Sequence, residues 1–415
     1  MGSVPELEDL IKKGLFEKNE ITMIMRRRTD FEHRINSRGS KARDYLKYVD
    51  FEKNLEKLRK KRYNRLSSVG LINTKPSISD WASERRILFI LDRGVQKFPN
   101  EFQLWETLLQ FAKEQKLFKK IYKIYTNLLQ LHPTSINSWI SAANFEYEYV
   151  GSAKNARILF QKGLRFNKDS KKLWLSYTIF ELSYINKLIN RRKILGLITE
   201  KQQYEHEKSE KLASKEQLEN DEHSDLIQLS NYDNISNDEL KTQLNSLPDA
   251  DLNMLGNPET NPALKGDVAL TIFDICIETL SKLKTSTFQS EFEFKYDISK
   301  EFLKIFDKFE DLNREYLVGH VVNYLLNNFN NELDVLILDI TLPLRNLSIN
   351  SENFIDNLQI STKKFIAYKG KLNSNDDKSQ LKLKFSSYLI ENFLQNDEIE
   401  DENIKQILHS IIKKL

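Results

Sequence analysis

WISAANFEYEYVGSAKNARILFQKGLRFNKDSKKLWLSYTIFE, residues 139–181, decides the fold. It opens on Trp139 and meets a second tryptophan, Trp174, 35 residues later. Each is followed at plus six by a phenylalanine, Phe145 or Phe180, and at plus seven by a glutamate, Glu146 or Glu181. Between them Ala156, Phe160 and Leu164 recur at intervals of four, the spacing of one helix face. The unit therefore reads as two helices joined by a short turn.

Working outward, the same unit recurs. Trp105 stands 34 residues before Trp139 and has Phe111 at plus six. Ten residues before each Trp lies Val95, Leu129 or Leu164; fourteen before lies Leu91, Tyr125 or Phe160; eighteen before lies Ile87, Ile121 or Ala156. Pro99 and Pro133 fall six residues before a Trp, where a chain must turn between helices. Gly94 and Gly163 sit eleven before a Trp; glycine costs helix propensity there, so a close approach of neighbouring helices is expected. Further upstream, Tyr45-x-x-Tyr48-x-x-Phe51-Glu52 repeats the pattern and predicts an earlier, degenerate unit. One helix pair of about 34 residues cannot bury its apolar face alone, so successive pairs stack. The predicted class is all-α, an α-solenoid of helix pairs.

Composition agrees. With 415 residues, 40% hydrophobic and 30% charged, the chain can bury a large core, and 12 glycines and 8 prolines suit long helices. A net charge of +3 gives no global argument for nucleic acid. The charge is unevenly spread: residues 1–70 carry 18 Lys and Arg against 11 Asp and Glu, whereas residues 199–252 carry 5 against 14. The lone Cys276 cannot form an internal disulfide and shares an apolar helical phase with Ile272 and Leu280, so a buried core thiol in a reducing compartment is expected. No run of 18 apolar residues offers a membrane span, and no apolar signal core opens the chain; a cytosolic or nuclear protein is expected.

Four regions follow. Residues 1–80 hold one or two amphipathic helices over 6–35, broken near Gly14, the basic runs Arg26-Arg27-Arg28 to Arg38 and Lys57 to Arg65, and the degenerate repeat. Residues 81–198 hold the clear repeats. Residues 199–247, acidic and polar with no sustained apolar stripe, read as a disordered insertion. Residues 248–415 continue the helical pattern. Ala269, Phe273 and Ile277 repeat the spacing of Ala156, Phe160 and Leu164, so the insertion is expected to separate the two helices of one unit, near 171–197 and 265–283. Stripes such as Phe302, Ile305, Phe306 and Phe309, or Leu381, Phe385, Tyr388 and Leu389, predict later helices. Leu333 to Leu344 alternates like a strand at Val335, Ile337 and Asp339, but a lone strand has no sheet to join, and a buried helix ending before Pro343 is expected.

Signals of chemistry are weak. The six histidines are scattered without zinc-ligand spacing, and there is no phosphate-cradling glycine loop or nucleophile elbow; no catalysis, metal or cofactor is expected. Tyr45, Trp105, Trp139, Trp174, Phe111, Phe145, Phe180, Phe160 and Phe273 fall on apolar helical phases and are assigned to the repeat core rather than to base stacking. Glu52, Glu146 and Glu181 recur at one phase and are read as structural, pairing with an Arg such as Arg157 across the helix pair. The basic residues Arg26, Arg27, Arg28, Arg34, Arg38, Arg59, Lys60, Lys61 and Arg62 are the candidate contacts to RNA phosphate or acidic partner surfaces, with solvated helix faces as the plain alternative.

An aromatic with Glu at plus seven and Ala-Arg-x-x-Phe in the second helix resembles the HAT repeat, the half-a-tetratricopeptide motif of RNA-processing proteins. Three further stretches narrow the likeness: Leu15-Phe16 through Arg27-Arg28-Thr29-Asp30-Phe31-Glu32-His33-Arg34 to Ser37-Arg38-Gly39, then Leu188 to Lys193, then Leu255 to Leu264. They resemble the U3 small nucleolar RNA-associated family of HAT subunits in the small-subunit processome. That resemblance implies a non-enzymatic nucleolar scaffold in the UtpB subcomplex. Its implied partners are β-propeller subunits, the U3 small nucleolar ribonucleoprotein and pre-ribosomal RNA, with no membrane and no small-molecule substrate. The alternative is a HAT module that binds RNA directly in splicing or messenger RNA 3′-end processing.

Overall fold

In the computed structural model, residues 4–69, 77–194, 262–283, 290–309, 311–345, 347, 354–372, 374–394 and 402–414 are described. The predicted insertion over 199–247 and most of the 255–264 signature lie outside them. The described residues are helical and contain no strand.

The helices are α1 (Val4–Lys12), α2 (Lys18–Asn36), α3 (Ala42–Ser68), α4 (Ile78–Lys97), α5 (Phe102–Glu114), α6 (Phe118–Leu131), α7 (Ile136–Phe145), α8 (Ala153–Phe166) and α9 (Lys171–Ile194). Beyond the insertion come α10 (Pro262–Lys265), α11 (Asp267–Leu283), α12 (Glu291–Phe306), α13 (Arg314–Asn328), α14 (Leu333–Thr341), α15 (Phe354–Lys371), α16 (Asn375–Leu389) and α17 (Glu402–Lys414). The chain divides into two compact units, 1–138 and 139–415.

In the first unit α2 packs on α3, α3 on α4, α4 on α5 and α5 on α6, while α1 lies against α4. In the second, α8 packs on α9, α9 on α11, and α11 through α14 each on the next. Neighbours in sequence are thus neighbours in space, the signature of stacked helix pairs and of the α-solenoid class.

Each boundary has a local cause. Ser152, Ser290 and Asn313 cap α8, α12 and α13 by accepting hydrogen bonds from the backbone N–H groups of Asn155, Glu293 and Tyr316. A π-helical turn, Glu146–Val150, extends α7 and ends at Gly151, whose φ of 78° suits glycine. The ladder tryptophans also fasten the turns ahead of them: Trp105 Nε1 donates to the Pro99 carbonyl at 2.8 Å and Trp174 Nε1 to that of Lys168 at 3.0 Å. The expected break near Gly14 falls between α1 and α2, with φ of +67°.

The glycines at minus eleven have the close neighbours expected of them, though the partner is the aromatic of the preceding first helix. A methyl on Gly94 would come within 3.1 Å of the Tyr45 ring, and one on Gly163 within 3.1 Å of Trp139 Cγ. The segment from Leu333 is helical, α14, and closes in a 3₁₀ turn over Leu342–Leu344 that contains Pro343. Its Leu336, Ile340 and Leu344 join Phe354, Phe365, Phe385, Phe393 and Leu408 in one C-terminal core. Cys276 is buried in α11, and burial pushes its thiol up to about 12. The thiolate is the reactive form. An aromatic disulfide reagent is therefore expected to leave the folded chain unlabelled at neutral pH and to label Cys276 fully in denaturant. Rapid labelling of the folded chain would mean that α11 opens.

Candidate functional site

The basic N-terminal run does not present all its cations to solvent. Arg28, on α2, is only 5% exposed and grips Glu52 of α3 with two hydrogen bonds, Nε to Oε1 at 2.7 Å and Nη2 to Oε2 at 3.0 Å. Arg86 of α4 reaches the same carboxylate at 3.3 Å, and Glu6 of α1 bonds to both guanidinium groups. Two buried carboxylates and two arginines therefore cancel inside the first unit. Arg86 is held charged well above its ordinary value: its hydrogen bond to Glu6 and the field of Glu52 outweigh the burial that opposes them. Burial, with Glu52 beside it, raises the Tyr48 phenol.

Arg59 is 7% exposed, bidentate to Glu56 at 2.9 and 2.7 Å and bonded to Asp80 of α4 at 2.8 Å. Arg62 is partly covered. It is bidentate to Glu20 at 2.7 Å, donates to the Leu15 carbonyl and lies 4.7 Å over the Phe16 ring. Those hydrogen bonds, with one from the Glu17 backbone, hold the Glu20 carboxyl down at about 2. The expectation that Arg28 and Arg59 reach a partner is thus corrected, while Arg62 keeps part of its side chain exposed. Helical phase turns Arg28 toward Glu52 of α3, and Arg59 toward Glu56 of its own helix and Asp80 of α4; charges buried so deeply must be paired.

The Arg28 arrangement has a twin. Arg157 of α8 grips Glu181 of α9 through Nε and Nη2, each at 2.7 Å, again 24 residues apart. Phe31 stacks on Tyr48 with ring centres 5.0 Å apart, and Phe160 on Tyr177 at 5.4 Å, both pairs 17 residues apart. So α2 stands to α3 as α8 stands to α9, and α2 is the second helix of a unit that precedes Tyr45. The motif was present as Arg28-Thr29-Asp30-Phe31 beside Arg157-Ile158-Leu159-Phe160, although no tryptophan announces it. The clasp joins successive units rather than the two helices of one pair. Glu146 is not among Arg157's partners; Asn155 Nδ2 donates to it at 3.4 Å.

The region carrying these contacts is matched by a family model. The model for U3 small nucleolar RNA-associated protein 6 covers residues 2–86, and that for the PRP39 N-terminal HAT repeat covers residues 91–206. The chain is a relative of U3 small nucleolar RNA-associated protein 6. To the protein of that name in Schizosaccharomyces pombe it is 38% identical over 193 residues, 46% of this chain and 39% of the relative. To the Homo sapiens homolog it is 32% identical over 185 residues, 45% and 30% of the two chains. The Dictyostelium discoideum homolog aligns over 336 residues at 26% identity, 79% of this chain and 49% of its own length. The aligned stretches span less than half the length of each of these curated relatives.

In this relative of U3 small nucleolar RNA-associated protein 6 the repeat aromatics are all interior. Tyr45, Trp105, Phe111, Trp139, Phe145, Phe160, Trp174, Phe180 and Phe273 are buried, as are Glu52, Glu146 and Glu181. What remains outward of the basic run is Arg26, Arg27, Arg34 and Arg38 on and just after α2, with Lys57, Lys60, Lys61 and Arg65 on α3. Lys60 lies 3.6 Å from Glu56. Lys57, Lys61 and Arg65 follow one another at intervals of four, so they share a face. Among the described residues no cluster of His, Cys, Asp and Glu could hold a metal, and no helix is long and apolar enough to cross a membrane. Among the exposed aromatics that the repeat pattern does not announce is Trp81, the fourth tryptophan, 50% exposed on α4. Its position outside the period of the ladder was the signal.

Proposed function

We propose that this chain is a non-enzymatic scaffold subunit of the small-subunit processome, acting in the nucleolus in U3-dependent pre-ribosomal RNA processing. The observation that carries the reading is the family match over residues 2–86, the segment that forms the clasped α1–α4 assembly. Its conspicuous carboxylates and arginines are consumed in packing, which leaves surfaces rather than a reaction centre. Stacked helix pairs present long faces to extended peptides or to propeller edges. The partners proposed are the β-propeller subunits of UtpB, together with the U3 ribonucleoprotein and pre-ribosomal RNA. The exposed basic residues Arg26, Arg27, Arg34, Arg38, Lys60 and Lys61 are the proposed contacts to an anionic surface.

Purification of the tagged protein after nuclease treatment tests this. A stoichiometric propeller complex that survives nuclease supports the scaffold. Recovery of RNA alone, lost with nuclease, would instead support the direct RNA-binding reading. Replacing Lys57, Lys60, Lys61 and Arg65 by Glu is expected to weaken particle association most at low salt, where charges are least screened, and to flatten its salt dependence, while leaving the melting temperature unchanged. Arg59 and Arg62 are left intact because they hold the fold. Association indifferent to charge and salt would remove the basic face from the model.

A further inference from the structure

The outer face of α4 carries Trp81, Arg85 and Phe89 at intervals of four. The tryptophan is 50% exposed, the phenylalanine 60%, and Arg85 is exposed between them. Eight helical residues set the two rings about 12 Å apart along the axis. Beyond Phe89, the Arg93 guanidinium lies 5.3 Å over its ring while bound to Glu32 and Asn36, so one end of the stripe is held rigid. Next in the stack, α6 turns Lys119 and Lys123 outward and has no carboxylate anywhere along its length. Arg85, Lys119 and Lys123 make no ion pair with any described residue.

The carboxylates nearby are already engaged. Of the three carboxylates on α4, Asp92 is neutralised by Lys120 at 2.5 Å and Asp80 is bound by Arg59 and Lys13, while Glu84 stands half-buried beside the stripe. Flat rings separated by a guanidinium, flanked by unpaired ammonium groups, match a strand of bases and phosphates. The excess of exposed cations, Arg85, Lys119 and Lys123, favours a polyanionic strand as the occupant.

We propose that this face of α4 and α6 binds single-stranded nucleic acid, with Trp81 and Phe89 stacking on bases and Arg85, Lys119 and Lys123 holding phosphates. The proposal goes beyond the scaffold reading and does not depend on it. Because the other three tryptophans are buried, Trp81 is also the natural reporter.

The test uses the 415-residue chain and fluorescein-labelled 12-nucleotide oligouridylate and oligothymidylate. Binding is expected to quench the solvent-exposed part of the tryptophan emission. Trp81→Ala and Phe89→Ala should each raise Kd roughly tenfold, and Trp81→Phe should recover most of the loss. Arg85→Glu with Lys119→Glu and Lys123→Glu should lower the slope of log affinity against log salt by about 2. All are surface changes, so an unchanged melting temperature certifies the fold. Preference for oligouridylate over oligothymidylate would identify RNA as the ligand, and equal affinity would leave single strands of either kind. Unquenched emission at saturating oligonucleotide, or a Kd indifferent to Trp81→Ala, would overturn the proposal. So would loss of a protein partner in the Trp81→Ala variant while oligonucleotide affinity stays intact.

Discussion

Glu52→Ala is expected to destabilise the first unit by about 3–5 kcal/mol, because it strands two guanidinium groups beside a vacancy. Glu52 has no exposed surface, and Arg28 and Arg86 both point at it. Removing one member of a buried ionic cluster costs far more than the pair contributes net, since the survivors stay out of water without a counter-charge. A surface ion pair would cost under about 1 kcal/mol. Thermal unfolding followed by circular dichroism separates the two cases. Arg93→Ala, which breaks the more exposed pair with Glu32, is the internal control and should produce a small shift. A Glu52→Ala protein that melts like the parent would show that Glu6 alone neutralises both arginines.

Phe160→Ala should cost a comparable amount in the second unit, about 3–5 kcal/mol. Its ring is fully buried, stacks on Tyr177 at 5.4 Å and lies 5.3 Å from Phe180, so it bridges α8 and α9. Truncation leaves a cavity that two helices of fixed spacing close poorly. Phe166→Ala, on the same helix but 62% exposed and stacked only on Trp139, should cost far less. Equal losses would indicate that helix propensity, not the aromatic bridge, dominates at α8.

The ladder could be read from sequence because a period of about 34 residues repeats the same packing problem, and each solution uses an aromatic of the same phase. Gly94 and Gly163 were readable for the same reason: each costs helix stability that only a close neighbour explains. The fate of the basic residues was harder to read. In a run such as Lys57 to Arg65 charge alone does not separate Arg59 from Lys60, yet their burial differs completely. The phase was available. Tyr45, Tyr48, Glu52, Glu56 and Arg59 lie on one helical face, as do Ile21, Ile24, Arg28 and Ile35. A basic residue on an apolar stripe implies a buried carboxylate to pair with it. The helix pairing of α2 was hidden because its unit lacks a tryptophan.

The two arginine–glutamate clasps also bear on how such a chain can change over evolution. An array whose joints were all alike could gain, lose or exchange units freely. Here the position that holds Glu52 and Glu181 is Ala112 in α5, so a unit ending in Arg157 moved ahead of α5 would bury a guanidinium against a methyl group. Each clasped joint therefore recognises its own neighbour, and duplication or shuffling of single repeats is penalised where whole clasped pairs could still move together.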